Sequence, residues 1–320
     1  MDHGARLTVL GSLNMDISVT VLSLPGPGAT VLGGAAAFAP GGKGANQAVA
    51  AARLGAASGI GVRMVGCVGD DDFGRALRAA LVAEAVDDAS VRTVPGVPSG
   101  IAMITVDHAG ENMITVAPGA NREVGAAEVA ATGAAHVLVI SAEVPVPAIV
   151  AALAASAGRQ PRPLTVLNLA PAPPEAAGLV AARPDWLVVN ESEAGAILGR
   201  PVSGLHTAAI AAADLVAAGA ANAVVTAGAA GAAYHGGTEG QGRTVAAFPI
   251  TAVDTVGAGD TFVGALAVAL AAGIPPEEAV TAAAAAAATA ATRPGTQAGM
   301  PRPADVHAAT GYEWPLSPTG

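Results

Sequence analysis

The stretch Val253-Asp254-Thr255-Val256-Gly257-Ala258-Gly259-Asp260-Thr261-Phe262 joins a strand-like approach, a glycine-rich turn and the start of a long helical run. Gly257 and Gly259 accept unusual φ angles, so successive backbone N–H groups can point at one anion. The positive end of the following helix adds to that attraction. The segment therefore predicts a phosphate-binding turn made by the amides of Gly257, Ala258 and Gly259.

An acid in such a turn needs a separate explanation. Asp260 would lie where a phosphoryl group meets its acceptor, and it can accept a proton from an acceptor hydroxyl during in-line transfer. The alternative is that Asp260 caps the helix, because Asp is common at helix N-termini. The turn by itself leaves both interpretations open.

Two common nucleotide-binding patterns are missing. Lys43 is followed by Gly44 rather than Ser or Thr, so the Walker pattern is incomplete. The segment 257–259 lacks the third glycine of the dinucleotide fingerprint. A nicotinamide-dependent oxidoreductase is therefore disfavoured.

A second glycine turn, Pro40 to Ala48, again leads into a helical run and presents Lys43 and Asn46. A cation and an amide suit the hydroxyls of a polyol. Upstream, Asn14 and Asp16 stand at alternate positions where the first strand is predicted to end, so their side chains point the same way. We expect these side chains to clamp a carbohydrate, the alternatives being a plain strand-to-helix turn and turn capping.

Short β-type runs alternate with alanine-rich helical runs along most of the chain. This alternation predicts an α/β fold of three layers, with a doubly wound, mainly parallel sheet and a ligand site beyond the carboxyl ends of the strands. The predicted elements are Leu7–Leu10, Gly44–Leu54, Met64–Val68, Asp72–Ala85, Val137–Ser141, Pro147–Ala157, Leu164–Asn168, Trp186–Val189, Glu191–Leu198 and Ala223–Thr226.

Two regions depart from this alternation, residues 16–38 and 101–116, the second read as two strands around a turn at 107–110. They predict a small β lid, with segments at about 15–40 and 96–118, whose strand edges would pair with a second subunit in a homodimer. One α/β domain over residues 1–310 would carry this lid. After a last helix near Ala304–Ala309, residues 311–320 are predicted to be a flexible tail.

Composition narrows the partners. The net charge is −10 and only 12% of residues are charged, so neither nucleic acid nor an anionic membrane surface is an expected partner. Cys67 is the single cysteine, the histidines are scattered, and no secretory or membrane-spanning pattern stands out. A cytoplasmic location without a transition-metal site is the expectation.

Taken together, Gly11–Asp16, Gly41–Ala48 and Asp254–Thr261 resemble the two signatures of the ribokinase/PfkB family of sugar kinases. The resemblance extends from about Leu7 to Gly299. It includes a lid-like block at Thr93–Gly119, and Asn190-Glu191-Ser192-Glu193 resembles an N-x-x-E motif. The set is far more specific than any one of its members.

The resemblance implies a role for each matching residue. Asp260 would be the base, and the amides of 257–259 would hold the transferring phosphoryl group. Residues Thr226, Gly228, Gly231 and Gly259 would lie along ATP, while Asn190 and Glu193 would organise hydrated Mg²⁺. The sugar would be bound by Asn14, Asp16, Gly42, Lys43, Asn46, Glu143 and Asp260.

The resemblance also implies activation by a monovalent cation such as K⁺. The matching ligands are Asp254 and the carbonyls of Val256, Ala290, Arg293 and Gly295, followed by Gly299. Gly299 departs from the family, because relatives often supply a serine oxygen there. Ala283 likewise stands where relatives often have a polar residue near adenine, which predicts loose selection of the base.

The activity implied by the resemblance is ATP-dependent phosphorylation of D-ribose at its 5-hydroxyl. Other acceptors fit the same motifs, including deoxyribose, fructose, a sugar acid or a nucleoside. A catalytically silent sugar-binding regulator with the same fold is the alternative from another functional class. The intact Asp260 argues against that alternative.

Overall fold

The computed structural model describes residues 6–236 and 240–316. The strands are β1 (Arg6–Leu10), β2 (Asn14–Val21), β3 (Ala37–Gly41), β4 (Gly61–Gly69), β5 (Val86–Val94), β6 (Gly100–Asp107), β7 (Asn112–Ala117), β8 (Val137–Ser141), β9 (Leu164–Asn168), β10 (Trp186–Asn190), β11 (Asn222–Thr226), β12 (Gly231–Gly236) and β13 (Gln241–Ala246). The helices are α1 (Lys43–Gly55), α2 (Asp72–Ala83), α3 (Ala126–Ala131), α4 (Val146–Ala157), α5 (Ala176–Ala181), α6 (Glu191–Leu198), α7 (Gly204–Ala217), α8 (Ala258–Ala271), α9 (Pro276–Ala291), α10 (Thr296–Gly299) and α11 (Pro303–Thr310).

The main sheet has the order β13-β12-β11-β10-β9-β8-β1-β4-β5 within the described residues. The run from β11 to β5 is parallel throughout, and β12 and β13 extend one edge in antiparallel pairing. The predicted mainly parallel sheet is confirmed. The two antiparallel edge strands were not anticipated.

Separate hydrophobic cores cover the two faces of this sheet. Helices α1, α8 and α9 supply one core, largely with alanine and valine, whereas α4 and α7 contribute to the other. Small side chains bring the backbones close together: a Cβ on Gly44 of α1 would lie 2.6 Å from the backbone carbon of Gly11. The predicted three-layer architecture is confirmed, and it holds the start of α1 against the end of β1.

The strand order reverses between β1 and β8, because the chain builds outward from β1 through β4 and β5 before β8 pairs on the opposite side of β1. In open α/β sheets such a switch point forms a crevice at the carboxyl ends of the strands. Ser12 follows β1 and Glu143 follows β8, and the two side chains meet there at 2.6 Å. The fold therefore places the ends of β1 and β8 at one crevice.

A smaller sheet of order β3-β2-β6-β7 lies apart from the main sheet order. It contains the two strands predicted around residues 107–110. One expectation needs correction: Asn14 and Asp16 begin β2 of this second sheet instead of ending β1. Their alternate spacing on one strand still holds, because both lie within β2.

The prediction that residues 311–320 form a flexible tail is wrong for the described residues 311–316. Trp314 is buried in the main core, and the ring of Tyr312 lies 5.9 Å from that of Phe248. Residues 311–316 are therefore packed, and residues 317–320 lie outside the described part of the chain. No helix among residues 6–236 and 240–316 combines the length and apolar character needed to cross a bilayer.

Candidate active site

Asp260 lies in the first turn of α8, behind an N-cap formed by Gly257 with φ of 80°. Its carboxylate is 93% buried and does not cap the helix. Instead, Oδ2 accepts from Nδ2 of Asn46 at 2.9 Å, and Oδ1 accepts from Nε2 of Gln47 at 3.1 Å. The capping alternative is wrong, because both carboxylate oxygens bond to side chains of α1.

Glu143 is half-buried and bonded to its surroundings. Its Oε2 accepts from Ser12 Oγ at 2.6 Å and from the backbone N–H of Lys43 at 3.1 Å. These contacts join the end of β8 to the turn after β1 and to the start of α1. Glu143 is thereby fixed in the crevice rather than on the outer surface.

Asn14 and Asp16 reach the same region from β2. Asn14 Oδ1 accepts from Nδ2 of the buried Asn121 at 2.8 Å, so the amide of Asn14 has a fixed orientation. A Cβ on Gly42 would lie 2.7 Å from the backbone nitrogen of Asn14, so the second glycine turn passes directly beside it. The residues predicted to clamp a sugar are thus brought together.

The charges of the crevice act strongly on one another. Burial, with Glu143 and Asp260 adding to it and Lys43 opposing it, raises the pKa of Asp16 to about 7. Asp260, then Glu143, Glu193 and Asp16, raise the pKa of Lys43 and outweigh the effect of its burial. Lys43 is therefore held as a cation among four carboxyl groups.

A largely apolar cavity of about 420 Å³ adjoins the start of α8. Among its lining residues, all within the described ranges, only Thr226 and Thr255 carry polar side chains. Its size falls in the range usual for a small-molecule pocket. The predicted nucleotide residues Thr226, Gly228, Gly231 and Gly259 all line it, together with Ala258.

Ala283 is wholly buried and does not line this cavity, which corrects its expected place beside adenine. The wall is formed instead by the next turns of α9, at Ala284, Ala287, Ala288 and Ala291. Because these side chains are methyl groups, they offer no hydrogen bonds to a base. We therefore still expect weak selection of the nucleotide base, but through these alanines of α9 and not through Ala283.

The predicted anion turn has one amide already in use. The N–H of Ala258 donates to Thr255 O at 3.2 Å, a long bond that an anion would have to share or replace. Ala258 and Gly259 nevertheless line the cavity, at the positive end of α8. The turn thus lies between the cavity and the Asp260 carboxylate.

Asn190 and Glu193 form a capping box at the start of α6, each backbone N–H donating to the other side chain at 2.8 Å. Burial raises the pKa of Glu193, with Asp260 adding to that effect and Lys43 opposing it. Glu193 therefore lies close enough to the crevice to interact with both charges. Two oxygen-bearing side chains suit Mg²⁺, which keeps several of its waters. Among the described residues, no cluster of three or more His, Cys, Asp or Glu offers a fuller metal site.

The predicted monovalent-cation ligands lie in two groups, one around Asp254 and one around Gly299. The Asp254 carboxylate accepts from the backbone N–H groups of Val256 and Gly295, each at 2.9 Å. A Cβ on Gly299 would lie 3.2 Å from the carbonyl oxygen of Arg293 and 3.4 Å from that of Ala290. Carboxylate and carbonyl oxygens are the donors that a hard cation prefers, so the residues present fit such an ion.

Four residues that hold this site were not predicted to do so: Ser12, Gln47, Asn121 and Gln297. Each is buried and bonds a predicted site residue, Gln297 by donating from Nε2 to Asn46 Oδ1 at 3.0 Å. Gln47 directly follows Asn46 in the second glycine segment. Ser12 likewise lies inside the segment Gly11–Asp16, so the positions of Gln47 and Ser12 are sequence signals that could have found them.

Comparison with known proteins agrees with this geometry. A family model for the pfkB family carbohydrate kinase matches residues 5–303. A ribokinase of Schizosaccharomyces pombe is 34% identical over 309 residues, covering 94% of this chain and 96% of its own. A deoxyribokinase of Salmonella typhi is 33% identical over 265 residues, covering 82% and 84%.

A solved structure of Arabidopsis thaliana ribokinase complexed with ribose and ATP superposes with a TM-score of 0.84 at 28% identity, covering 97% of this chain and 100% of that one. The agreement extends over the main sheet, the smaller sheet and the helices that carry the site, because almost the full length is matched. The chain belongs to the pfkB family of carbohydrate kinases.

Proposed function

We propose that this sugar kinase transfers the γ-phosphoryl group of ATP to O5 of D-ribose. The observation that carries the proposal is the Asp260 carboxylate, buried at the start of α8 and held on both oxygens by Asn46 and Gln47. It lies between an apolar cavity suited to a nucleoside and a polar crevice suited to a polyol. The relatives named ribokinase support the choice of ribose.

In the proposed reaction, the sugar hydroxyl gives its proton to Asp260 as its oxygen bonds to the γ-phosphorus. The bond from that phosphorus to the bridging oxygen breaks, and ADP leaves with the electron pair. Lys43 and the N-terminal end of α8 stabilise charge on the phosphoryl oxygens. Mg²⁺, held through Asn190 and Glu193, supplies further neutralisation of the phosphates when bound.

The charge of the crevice favours a neutral acceptor. Asp16, Glu143, Glu193 and Asp260 act on the one Lys43 cation, so the local balance is negative. An anionic acceptor such as a sugar acid would meet like charge in a partly desolvated site, which costs several kcal/mol. Among the possible acceptors, ribose and deoxyribose therefore rank above a sugar acid.

The proposed monovalent cation would bind beside the anion turn, through Asp254 and the backbone carbonyls of Val256, Ala290, Arg293, Gly295 and Gly299. The support is the contact of the Asp254 carboxylate with the backbone of Val256 and Gly295, and the closeness of the Arg293 and Ala290 carbonyls to Gly299. Replacing K⁺ by a large organic cation such as tetramethylammonium is expected to lower kcat. Equal kcat in both salts would contradict the K⁺ site.

The proposed homodimer would form through the smaller sheet. Its exposed apolar side chains include Phe38, Met103 and Ile114, each at least half exposed, and β3 and β7 stand at its two edges. Light scattering of the protein, compared with an Ile114→Lys variant, tests this, because a monomeric native protein would contradict it. The cytoplasmic location stays a prediction.

The direct test of the proposed activity is a coupled assay with ATP, Mg²⁺, K⁺ and D-ribose, with the product identified by ³¹P and ¹³C NMR. We expect one ADP for each ribose 5-phosphate. Nucleotide turnover that responds to no pentose, hexose or nucleoside would contradict a kinase. Calorimetric binding of ribose without any product would support the silent regulator instead.

A further inference from the structure

A buried chain of side-chain amides connects helix α10 to the Asp260 carboxylate. Gln297 of α10 donates from Nε2 to Asn46 Oδ1 at 3.0 Å, and Asn46 donates from Nδ2 to Asp260 Oδ2 at 2.9 Å. All three side chains are at least 90% buried. The bond from Gln297 to Asn46 joins residues 251 positions apart.

The direction of this chain is dictated by its last member. An ionised carboxylate only accepts hydrogen bonds, so the amide group of Asn46 that faces Asp260 must be NH₂. The carbonyl oxygen of Asn46 then faces away, into a buried position that needs a donor. Gln297 is that donor. Without it, the Asn46 oxygen is left unpaired in a buried position, and the Asn46 amide loses one of the two bonds that fix its orientation.

The backbone of Gln297 is itself held by Arg53 of α1. Arg53 donates from Nη1 to the carbonyl oxygens of Gln297 and Met300, each at 2.7 Å. The remaining nitrogens of Arg53 bind both oxygens of Glu84 at 2.6 and 2.9 Å. A paired Arg of this kind has a fixed geometry, so the backbone of α10 is fixed relative to α1.

We propose that Gln297 is a positioning residue for phosphoryl transfer, which sets the orientation of Asn46 and through it that of the Asp260 base. It touches neither sugar nor nucleotide in this role. The inference rests on the proposed function, because it assigns Gln297 to the action of Asp260 as base. Gln47 holds the other carboxylate oxygen, so loss of Gln297 leaves Asp260 in place but free to turn.

The test replaces Gln297 by Met, which keeps the length of the side chain and removes the donor. We expect kcat with ribose to fall by about 10- to 10²-fold, as for a base that is misplaced by a fraction of an ångström to an ångström. The KM for ribose should change by less than about threefold, because Asn14 and Glu143, two of the predicted sugar-binding residues, are held by contacts that do not involve Gln297. Ser156→Ala, which removes one buried hydrogen bond in α4, is the matched control and should leave kcat unchanged.

A double-variant cycle separates positioning from general damage. In an Asp260→Asn background, Gln297→Met should lower kcat by less than about twofold, since its effect passes through the base. A full, additive loss there, or unchanged kcat in the single variant, would contradict the role of Gln297 alone. Absence of ribose-dependent turnover in the unsubstituted protein would contradict the proposed function as well.

Should Gln297→Met fold poorly by circular dichroism, Gln297→Leu gives a second reading. Its side chain is shorter and likewise lacks a donor, so Asn46 Oδ1 again loses its partner. We expect the same loss of kcat, again absent in the Asp260→Asn background. A folded Gln297→Leu variant with full kcat would overturn the inference.

Discussion

The acceptor crevice and the nucleotide cavity lie on either side of Asp260 and are built differently. The crevice consists of buried and half-buried polar side chains, each held by another: Asp260 by Asn46, Glu143 by Ser12, and Asn14 by Asn121. The cavity is lined mostly by glycine, alanine and other apolar residues, with polar side chains from Thr226 and Thr255 among the described residues.

This difference teaches where selectivity should reside. A site made of fixed polar side chains rejects a ligand that cannot match them, because buried groups are then left unpaired. A site made of methyl groups and backbone discriminates weakly between ligands of similar shape. We therefore expect strict selection of the acceptor and permissive selection of the nucleotide base.

The largest effect is expected at Asp260, which lies between the acceptor crevice and the nucleotide cavity. Asp260→Asn keeps the shape of the side chain but removes the proton acceptor, so kcat should fall by about 10²–10⁴-fold. Ribose binding, measured by calorimetry, should be nearly unchanged. Asp72→Asn, at a side chain that is 97% exposed, is the matched control. Near-normal kcat in the Asp260 variant would remove it from the role of base.

The crevice itself is probed by Asp16→Asn at pH 8.5, where Asp16 is ionised. A charged hydrogen bond is worth about 1.5–3 kcal/mol, so the KM for ribose should rise by about 10- to 10²-fold. The KM for ATP should stay constant, because Asp16 lies on the acceptor side. An equal rise in the KM for ribose and the KM for ATP would contradict the assignment of Asp16 to the acceptor crevice alone.

A smaller effect is expected when the cavity is narrowed at α9. Ala284→Val adds bulk to the wall, and overpacking of about 1–2 kcal/mol would raise the KM for ATP by about 5- to 30-fold. Steady-state kinetics should show no change in the KM for ribose. Ala157→Val, at the exposed end of α4, controls for the new side chain. A changed KM for ribose would mean that the halves are not independent.

The smallest effect concerns pH and stability. Burial raises the pKa of Asp16 from 3.8 to about 7, so the folded chain favours the protonated form. The contribution of Asp16 to the free energy of unfolding therefore falls as pH rises from about 4 to about 7. Between about pH 4 and about pH 7, the Tm of the native protein should therefore fall relative to the Tm of the Asp16→Asn variant. A parallel pH dependence of Tm in the two proteins would contradict the shifted pKa.

Much of the fold was accessible from the sequence, because its signals are local. Strands Val137–Ser141 and Leu164–Asn168 and helix Glu191–Leu198 have the predicted bounds, since apolar runs and a capping sequence define them. The strand β2 was missed at Asn14, because three residues separate it from β1 and no strong turn signal intervenes. The packing of Trp314 depends on distant contacts and could not be read locally.

In the site, too, residues with a local sequence signal were predicted, whereas residues that depend on distant contacts were not. Asp260, Lys43 and Glu143 were found through motifs, and the structure brings them together. Gln297 was missed because a buried amide looks like any surface amide until its distant partner is known. Motifs thus identify groups that meet the ligand, whereas the residues that orient those groups emerge only from tertiary contacts.

The most direct test measures both selectivities on one preparation, as ratios of kcat/KM at pH 8.5. The negative crevice should favour D-ribose over D-ribonate by at least about 10³-fold. The apolar cavity should favour ATP over GTP by less than about 10²-fold. A ribose-to-ribonate ratio that is no larger than the ATP-to-GTP ratio would contradict this account.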